Sequence, residues 1–349
     1  MNLFRVALVG FGTVGQGFAR ILRDHGEALR SRHGLNVRIT AVSDVRRGSL
    51  HDPEGLDLDA LLAAVEAGGT LAGVSARDRD WDALTTIQGA EADVMAELAF
   101  TDLDSGEPAL THVRAALTRG LHVITTNKGP IALAYPELAD LARRHGVRLE
   151  SEGTVMSGTP ALHLGTELLA VANVTRIEGV LNGTSNYVLT RMEAGLDFAA
   201  ALGEAQAKGY AEADPSGDVD GIDAAGKVVI LANRVMGAEL RMADVPREGI
   251  RALTPERVAE AAEVHERWKL LGRVRRDADG SVRADVAPRR LSATHPLASV
   301  SGASNAVTFT TDLLGDVTLV GPGAGRLETG YALIEDLLAL QRHHGGTRA

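Results

Sequence analysis

Phe4-Arg5-Val6-Ala7-Leu8-Val9 runs directly into Gly10-Phe11-Gly12-Thr13-Val14-Gly15, so an apolar strand-like stretch meets a Gly-x-Gly-x-x-Gly motif at the very start of the chain. The residues from Gly15 to His25 then follow helical spacing. Strand, glycine turn and helix in that order turn a weak pattern into a dinucleotide fingerprint. Gly10 permits the tight turn, and Gly12 lets backbone approach a pyrophosphate. Gly15 allows close helix–strand packing, with Thr13 and Val14 beside it at the phosphate-binding helix N-terminus.

Working outward, strand-like runs at Phe4–Val9, Val37–Ser43, Asp93–Ala99, His122–Thr126 and Val147–Glu150 alternate with helical segments such as Glu137–His145. That βαβ rhythm predicts an α/β, Rossmann-type doubly wound parallel sheet over residues 1–150. The stretch Gly48–Leu84, rich in Gly and Asp, reads as an irregular insertion with one helix near Leu58–Ala67. Asp44, at the end of the second strand, suits a ribose 2′-hydroxyl and hence NAD. Arg46 and Arg47 follow at once and suit the 2′-phosphate of NADP, so the residues leave both cofactors open.

From Ser151 the pattern changes. Helices are expected near Thr184–Ala194, Phe198–Lys208, Ile222–Met236 and Pro255–Trp268. Strands are expected near Val174–Leu181, Leu271–Arg276, Ser281–Ala287, Ala306–Thr311 and Val317–Val320, with Asp279-Gly280 as a hairpin turn. This predicts an α+β catalytic and dimerisation domain over 151–320. A glycine turn, Gly321-Pro322-Gly323-Ala324-Gly325, and a final helix over 321–349 are expected to return to the nucleotide-binding domain.

At 349 residues, 45% hydrophobic and 3% aromatic, the chain can bury two Ala/Val/Leu-built cores. Its 36 basic and 46 acidic residues give a formal charge of -10, without a long basic run, which argues against nucleic acid and anionic membranes as partners. No apolar stretch reaches membrane-spanning length. The absence of cysteine removes disulfides and thiolate chemistry and fits a reducing cytoplasm.

Chemistry concentrates in Gly209-Tyr210-Ala211-Glu212-Ala213-Asp214-Pro215-Ser216-Gly217-Asp218-Val219-Asp220-Gly221-Ile222-Asp223-Ala224-Ala225-Gly226-Lys227. Asp223 and Lys227, four apart, share one helical face, while Glu212 and Asp218 lie in the preceding loop. Acids beside an amine suit a small zwitterionic substrate. The plain structural alternative makes Asp220 the N-cap and Asp223 the acid of a capping box. Thr125-Thr126-Asn127-Lys128-Gly129-Pro130 places Lys128 at the carboxyl end of a strand, near the nicotinamide, or on a solvated loop. Glu152 to Thr159 is a glycine-rich junction whose oxygens fit a hard monovalent cation such as Na+, or a hinge without one. In Asn182-Gly183-Thr184-Ser185-Asn186-Tyr187, Thr184 or Ser185 caps a helix or holds a polar group of the substrate.

These motifs, in this order along nearly the whole chain, resemble homoserine dehydrogenase, and Gly209–Lys227 looks like that family's signature. The resemblance implies NAD(P)-dependent interconversion of L-homoserine and L-aspartate 4-semialdehyde, on the way to threonine, methionine and isoleucine. It assigns Lys227 as the catalytic lysine with Asp223 before it and Lys128 as a second. Glu212 then holds the substrate amino group, with Asp218 and Thr184 also on the substrate. Glu152, Val155, Ser157 and Thr159 correspond to a monovalent-cation site and Gly325 to a cofactor contact. Thr101 is the best match for a nicotinamide-ribose contact, because Ala96-Glu97-Leu98-Ala99-Phe100-Thr101-Asp102 departs from the family's short Val-Glu-x-Thr-like turn. The final helix reads Arg326-Leu327-Glu328-Thr329-Gly330 where the family often has small residues. A homodimer is implied, and the chain's length leaves no room for a regulatory ACT domain. The alternatives are another NAD(P)-linked amino-acid or semialdehyde dehydrogenase on this scaffold, or a nonenzymatic NAD(P) sensor. A sensor has no need of Lys128, Asp223 and Lys227.

Overall fold

The computed structural model describes residues 3–345; residues 346–349, the end of the terminal segment, lie outside the described residues. The chain forms two compact units, one running through Gly158 and resuming at Gly325, the other spanning Thr159–Ala324.

In the first unit the elements run β1 (Leu3–Val9), α1 (Thr13–His33), β2 (Asn36–Asp44), β3 (Gly48–His51), α2 (Leu58–Gly68), β4 (Asp78–Arg79) and α3 (Ala83–Gly89). There follow β5 (Val94–Glu97), α4 (Ala109–Arg119), β6 (His122–Thr125), α5 (Lys128–Arg144), β7 (Leu149–Glu150) and α6 (Gly153–Met156). The sheet order is β4-β3-β2-β1-β5-β6-β7. Strands β2, β1, β5, β6 and β7 are parallel, and the order reverses at β1. Ligands of such sheets bind at the carboxyl ends beside that reversal, here Val9, Asp44, Glu97 and Thr125.

The Gly48–Leu84 stretch is not an irregular insertion. It extends the sheet through antiparallel β3 and β4. Strands of four and two residues are too short to show alternation, and the turn before β3 is made by a side chain. Asp44 accepts hydrogen bonds from the backbone N–H groups of Arg46 and Arg47 at 2.9 and 3.0 Å, an Asx-type turn. Asp57 and Asp82 cap α2 and α3.

The C-terminal helix, Arg326–Gly345, packs along α1. Glycines set the approach: a Cβ on Gly17 would overlap the Arg326 carbonyl, and one on Gly330 would press on the backbone of Gly17 and Phe18. Leu333, Ile334, Leu337 and Leu340 thereby join Phe18, Leu22, Leu8 and Val6 in one core.

In the second unit α7 (Ala161–His163) leads to β8 (Val174–Val180), α8 (Gly183–Glu193), α9 (Phe198–Ala207), α10 (Ser216–Val219), α11 (Ile222–Val235) and α12 (Pro255–Glu263). Four strands close it: β9 (Glu266–Arg276), β10 (Val282–Ser292), β11 (Ser304–Thr311) and β12 (Gly315–Pro322). They form an antiparallel sheet, β10-β9-β8-β11-β12. The helix expected to run to Trp268 stops at Glu263. His265 adopts a left-handed φ of 57°, and from Glu266 every residue of β9 pairs with β10. Trp268 instead donates its indole N–H to the Arg257 carbonyl at 3.0 Å, bracing helix against strand.

Candidate active site

In the first unit the glycine motif is built as an anion cradle. Gly12 is the N-cap of α1 and contributes no side-chain hydrogen bond, and the first turn holds no acid. The leading N–H groups of a 21-residue helix thus face outward with the positive end of its dipole, the donor set a pyrophosphate needs. Gly10, at φ 102°, sits against the Leu98 carbonyl, where a Cβ would meet oxygen at 2.5 Å. Asp44 accepts the Phe11 N–H at 2.7 Å, which ties the motif to the end of β2. Arg46 is exposed, whereas Arg47 donates to the Gly69 carbonyl at 3.0 Å.

The next strand ends are joined by side chains. Glu97, fully buried, accepts the Ala99 N–H at 2.8 Å and pairs with His112 Nδ1 at 2.9 Å. Thr125 donates its hydroxyl to the Glu97 carbonyl at 2.8 Å. Asn127, the N-cap of α5, donates to the carbonyls of Ala99 and Phe100 at 3.1 and 3.0 Å. This network fixes the loop that carries the exposed Thr101 and sets the half-buried Lys128 at the start of α5. Gly325, at φ 144°, leads into the C-terminal helix, whose contact at Gly17 brings it to the early turns of α1.

In the second unit the acids and the lysine converge. Lys227, 6% exposed, lies 2.9 Å from Asp223 and donates to the Leu181 carbonyl at 2.6 Å. Asn182 donates to Asp218 at 2.6 Å and to Asp223 at 3.1 Å, while its oxygen accepts the Ser185 N–H at 2.8 Å. Asn182, not Thr184 or Ser185, is therefore the cap of α8; the Thr184 hydroxyl donates to the Tyr210 carbonyl at 2.6 Å. Burial raises the Asp218 carboxyl above the ordinary aspartate value. The Asn182 amide opposes that shift, and the nearby Asp223 charge adds to it. The capping-box alternative is not realised: Gly221, at φ 79°, caps α11 without a side chain, and Asp220 pairs with Arg251 at 2.5 Å. Glu212 stands exposed, its carbonyl accepting from Gln206 at 3.0 Å.

Of the residues matched to a cation site, Glu152, Val155 and Ser157 belong to the first unit and Thr159 to the second. The hydroxyls of Ser157 and Thr159 are engaged, by Thr329 at 2.7 Å and the Pro322 carbonyl at 3.1 Å. Glu152 is fully buried, and its N–H donates to Asp336 at 3.1 Å. Burial and the charge of Glu152 push the Glu335 carboxyl up to about 8, against the pull of Arg342.

This geometry agrees with what the chain is similar to. The homoserine dehydrogenase pattern matches residues 160–338, and that of the homoserine dehydrogenase NAD binding domain matches residues 10–152. The chain belongs to the homoserine dehydrogenase family. It is 47% identical over 348 residues to an NAD(+)-dependent homoserine dehydrogenase of Pseudomonas canavaninivorans, covering 100% of this chain and 98% of that protein. The homoserine dehydrogenase structure from Thiobacillus denitrificans superposes with a TM-score of 0.85 at 33% identity, over 99% of this chain and 75% of that one. A hyperthermophilic archaeal homoserine dehydrogenase in complex with NADPH gives 0.83 at 29% identity, over 98% of both chains.

Within this member of the homoserine dehydrogenase family, sequence reasoning overlooked two residues that organise the candidate site. Asn182 was visible as an Asn-Gly-Thr before a helix, but its bridge to two acids depends on how the loop 209–221 folds back. Glu97 lay inside a quoted strand end, and only the placement of His112 one helix later shows why an acid is buried there.

Proposed function

We propose that this chain interconverts L-homoserine and L-aspartate 4-semialdehyde with NAD+ as the preferred cofactor. In this reading it acts as a cytoplasmic homodimer on the way to threonine, methionine and isoleucine, with a monovalent cation held by Glu152 and the carbonyls of Val155, Ser157 and Thr159. The observation that carries it is the buried ammonium of Lys227, fixed by Asp223 and the Leu181 carbonyl inside an acid-lined site.

Hydride chemistry at the carbon that bears the substrate oxygen would be supplied by the bound dinucleotide. The chain's own residues handle proton and charge. Lys227 donates a proton to, or stabilises, the developing alkoxide in one direction and accepts the hydroxyl proton in the other, with Asp223 orienting it. Asp218 and Glu212 receive the substrate ammonium, and the Thr184 hydroxyl adds a polar contact. Lys128 adds positive field on the cofactor side, where the N–H groups of Gly12, Thr13, Val14 and Gly15, together with Gly10, Asp44, Arg46, Thr101 and Gly325, hold the dinucleotide. The homodimer is carried from the resemblance to the homoserine dehydrogenase family.

Absorbance at 340 nm with homoserine and each oxidised cofactor tests the reading. Turnover is expected with NAD+ and less with NADP+; no turnover with either would sink it.

A further inference from the structure

β11 begins Ser304-Asn305-Ala306-Val307, and strand alternation puts Asn305 on the same face as Val307 and Phe309. Both of those are fully buried apolar residues, and Asn305 is as deeply buried as they are. Neither its Nδ2 nor its Oδ1 has a hydrogen-bond partner among the described residues. A buried amide with both ends unpaired is a net cost to the fold, and native chains keep few of them. The other amides nearby are paired: Asn182 as described, and Asn186 with the carbonyls of Val300, Gly302 and Ser304 at 3.3, 3.0 and 3.1 Å.

Two glycines lie against this amide. A Cβ on Gly323 would overlap its Cγ, Oδ1 and Nδ2, and a Cβ on Gly183 would stand 3.4 Å from its Oδ1. Gly183 is the first residue of α8, so Asn305 abuts the sequence neighbour of Asn182, which joins Asp218 and Asp223. The segment beneath it is rigid: Asn186 pins 300–304 from α8, and the fully buried Lys269 holds Asn186 in turn at 3.3 Å. Gly323, at the end of β12, lies over the amide, and Gly321 pairs with Asn305 across the ladder. A fixed floor, glycines against it and an unpaired amide describe a binding group held ready.

We propose that Asn305 is a further substrate-binding residue of this site, sealed under Gly323 in the free protein and donating from Nδ2 to the carboxylate of the bound amino acid. This rests on the homoserine dehydrogenase reading above. The amide complements the acids: Asp218 and Glu212 attract the ammonium end of a zwitterion, while Asn305 and the N–H groups at the start of α8 attract its carboxylate end.

The test exploits the cost of the unpaired amide. Asn305→Leu keeps the heavy-atom branching at Cγ and removes both polar atoms, so Tm should stay the same or rise. The KM for homoserine should rise about ten- to hundredfold, the worth of one hydrogen bond to a charged group, with NAD+ affinity unchanged by fluorescence titration. Asn305→Asp should weaken homoserine binding further by opposing its carboxylate. Homoserine should raise the Tm of the wild type and not that of Asn305→Leu, a comparison that needs no turnover. If the wild type fails to oxidise homoserine, the functional reading falls, while that thermal shift still decides Asn305. An unchanged KM and an undiminished thermal shift in Asn305→Leu overturn the proposal. So does a large fall in Tm in both Asn305→Leu and Asn305→Ala, because the amide is then structural.

Discussion

Lys227 and Asp223 form an ion pair of 2.9 Å one turn apart on α11, with the amine almost fully enclosed. An enclosed ammonium held this way is a positioned proton donor rather than a surface charge. Lys227→Ala should lower turnover by about 10²–10⁴, the usual worth of a positioned acid or base. Lys227→Arg should fare little better, since a guanidinium keeps the charge and cannot exchange its proton. Lys128→Ala should impair turnover separately, since the two lysines belong to different units. Steady-state kinetics across pH about 6–10 decide it; near-normal turnover of Lys227→Ala throughout would remove the assignment.

Asn182 does two jobs with one amide, capping α8 and bridging Asp218 to Asp223. Loss of the cap alone costs about 1 kcal/mol. Asn182→Ala should therefore show that loss in urea unfolding and, beyond it, at least a tenfold drop in kcat/KM as the two carboxylates lose their shared donor. A variant that loses stability but keeps its specificity constant would make Asn182 a cap and nothing more.

Asp218 gives the site a pH signature. Burial raises its carboxyl in the folded protein above the 3.8 of the unfolded chain. The native state then binds the extra proton, so stability falls as pH rises from that value through the folded one. Asp218→Asn lacks this loss. Its advantage over the wild type should grow as pH rises from about 4 toward 7. Homoserine, bringing an ammonium, should stabilise the wild type more than the variant. Denaturant midpoints at both pH values check it; a variant less stable than the wild type at pH 7 contradicts the account.

The first unit was legible because its signals are local: an apolar strand, three glycines at fixed spacing and a helix leave few alternatives. The Asp223/Lys227 pair was legible for the same reason, being one helical turn. Contacts that depend on distant segments were not. Asp44 reads as a ribose ligand, yet it also makes the hairpin turn into β3, and β3 and β4 are too short for any periodicity to show. Asn305 shares its strand face with the buried Val307 and Phe309, and nothing in that pattern reveals that its amide goes unpaired.

The α1 contact with the C-terminal helix predicts opposite signs for two like substitutions. In an ordinary helix interior, Gly→Ala stabilises by up to about 1 kcal/mol. Gly26, with nothing within 4 Å of its would-be Cβ, should behave so. Gly17→Ala should destabilise by about 1–3 kcal/mol, because the new methyl meets the backbone carbonyl of Arg326 rather than a side chain that could yield. Thermal unfolding of the pair reads both signs at once. Equal signs would mean the two helices slide apart at little cost.

The cofactor preference turns on Asp44. Its carboxylate is held by three N–H groups, from Phe11, Arg46 and Arg47, so its charge is fixed at the end of β2 and cannot swing away from a 2′-phosphate. A fourth lone pair remains for a ribose hydroxyl. Arg46, by contrast, is an exposed side chain whose attraction for a phosphate is screened by solvent. One charge-assisted hydrogen bond is worth about 1.5–3 kcal/mol, so kcat/KM should favour NAD+ over NADP+ by about ten- to hundredfold. Arg46→Ala should lower NADP+ turnover more than NAD+ turnover. Asp44→Ala should weaken NAD+ binding and also lower Tm, since the turn and the glycine loop lose their common acceptor. Kinetics with both cofactors settle the order, and equal or better use of NADP+ would show that Arg46 outweighs the fixed carboxylate.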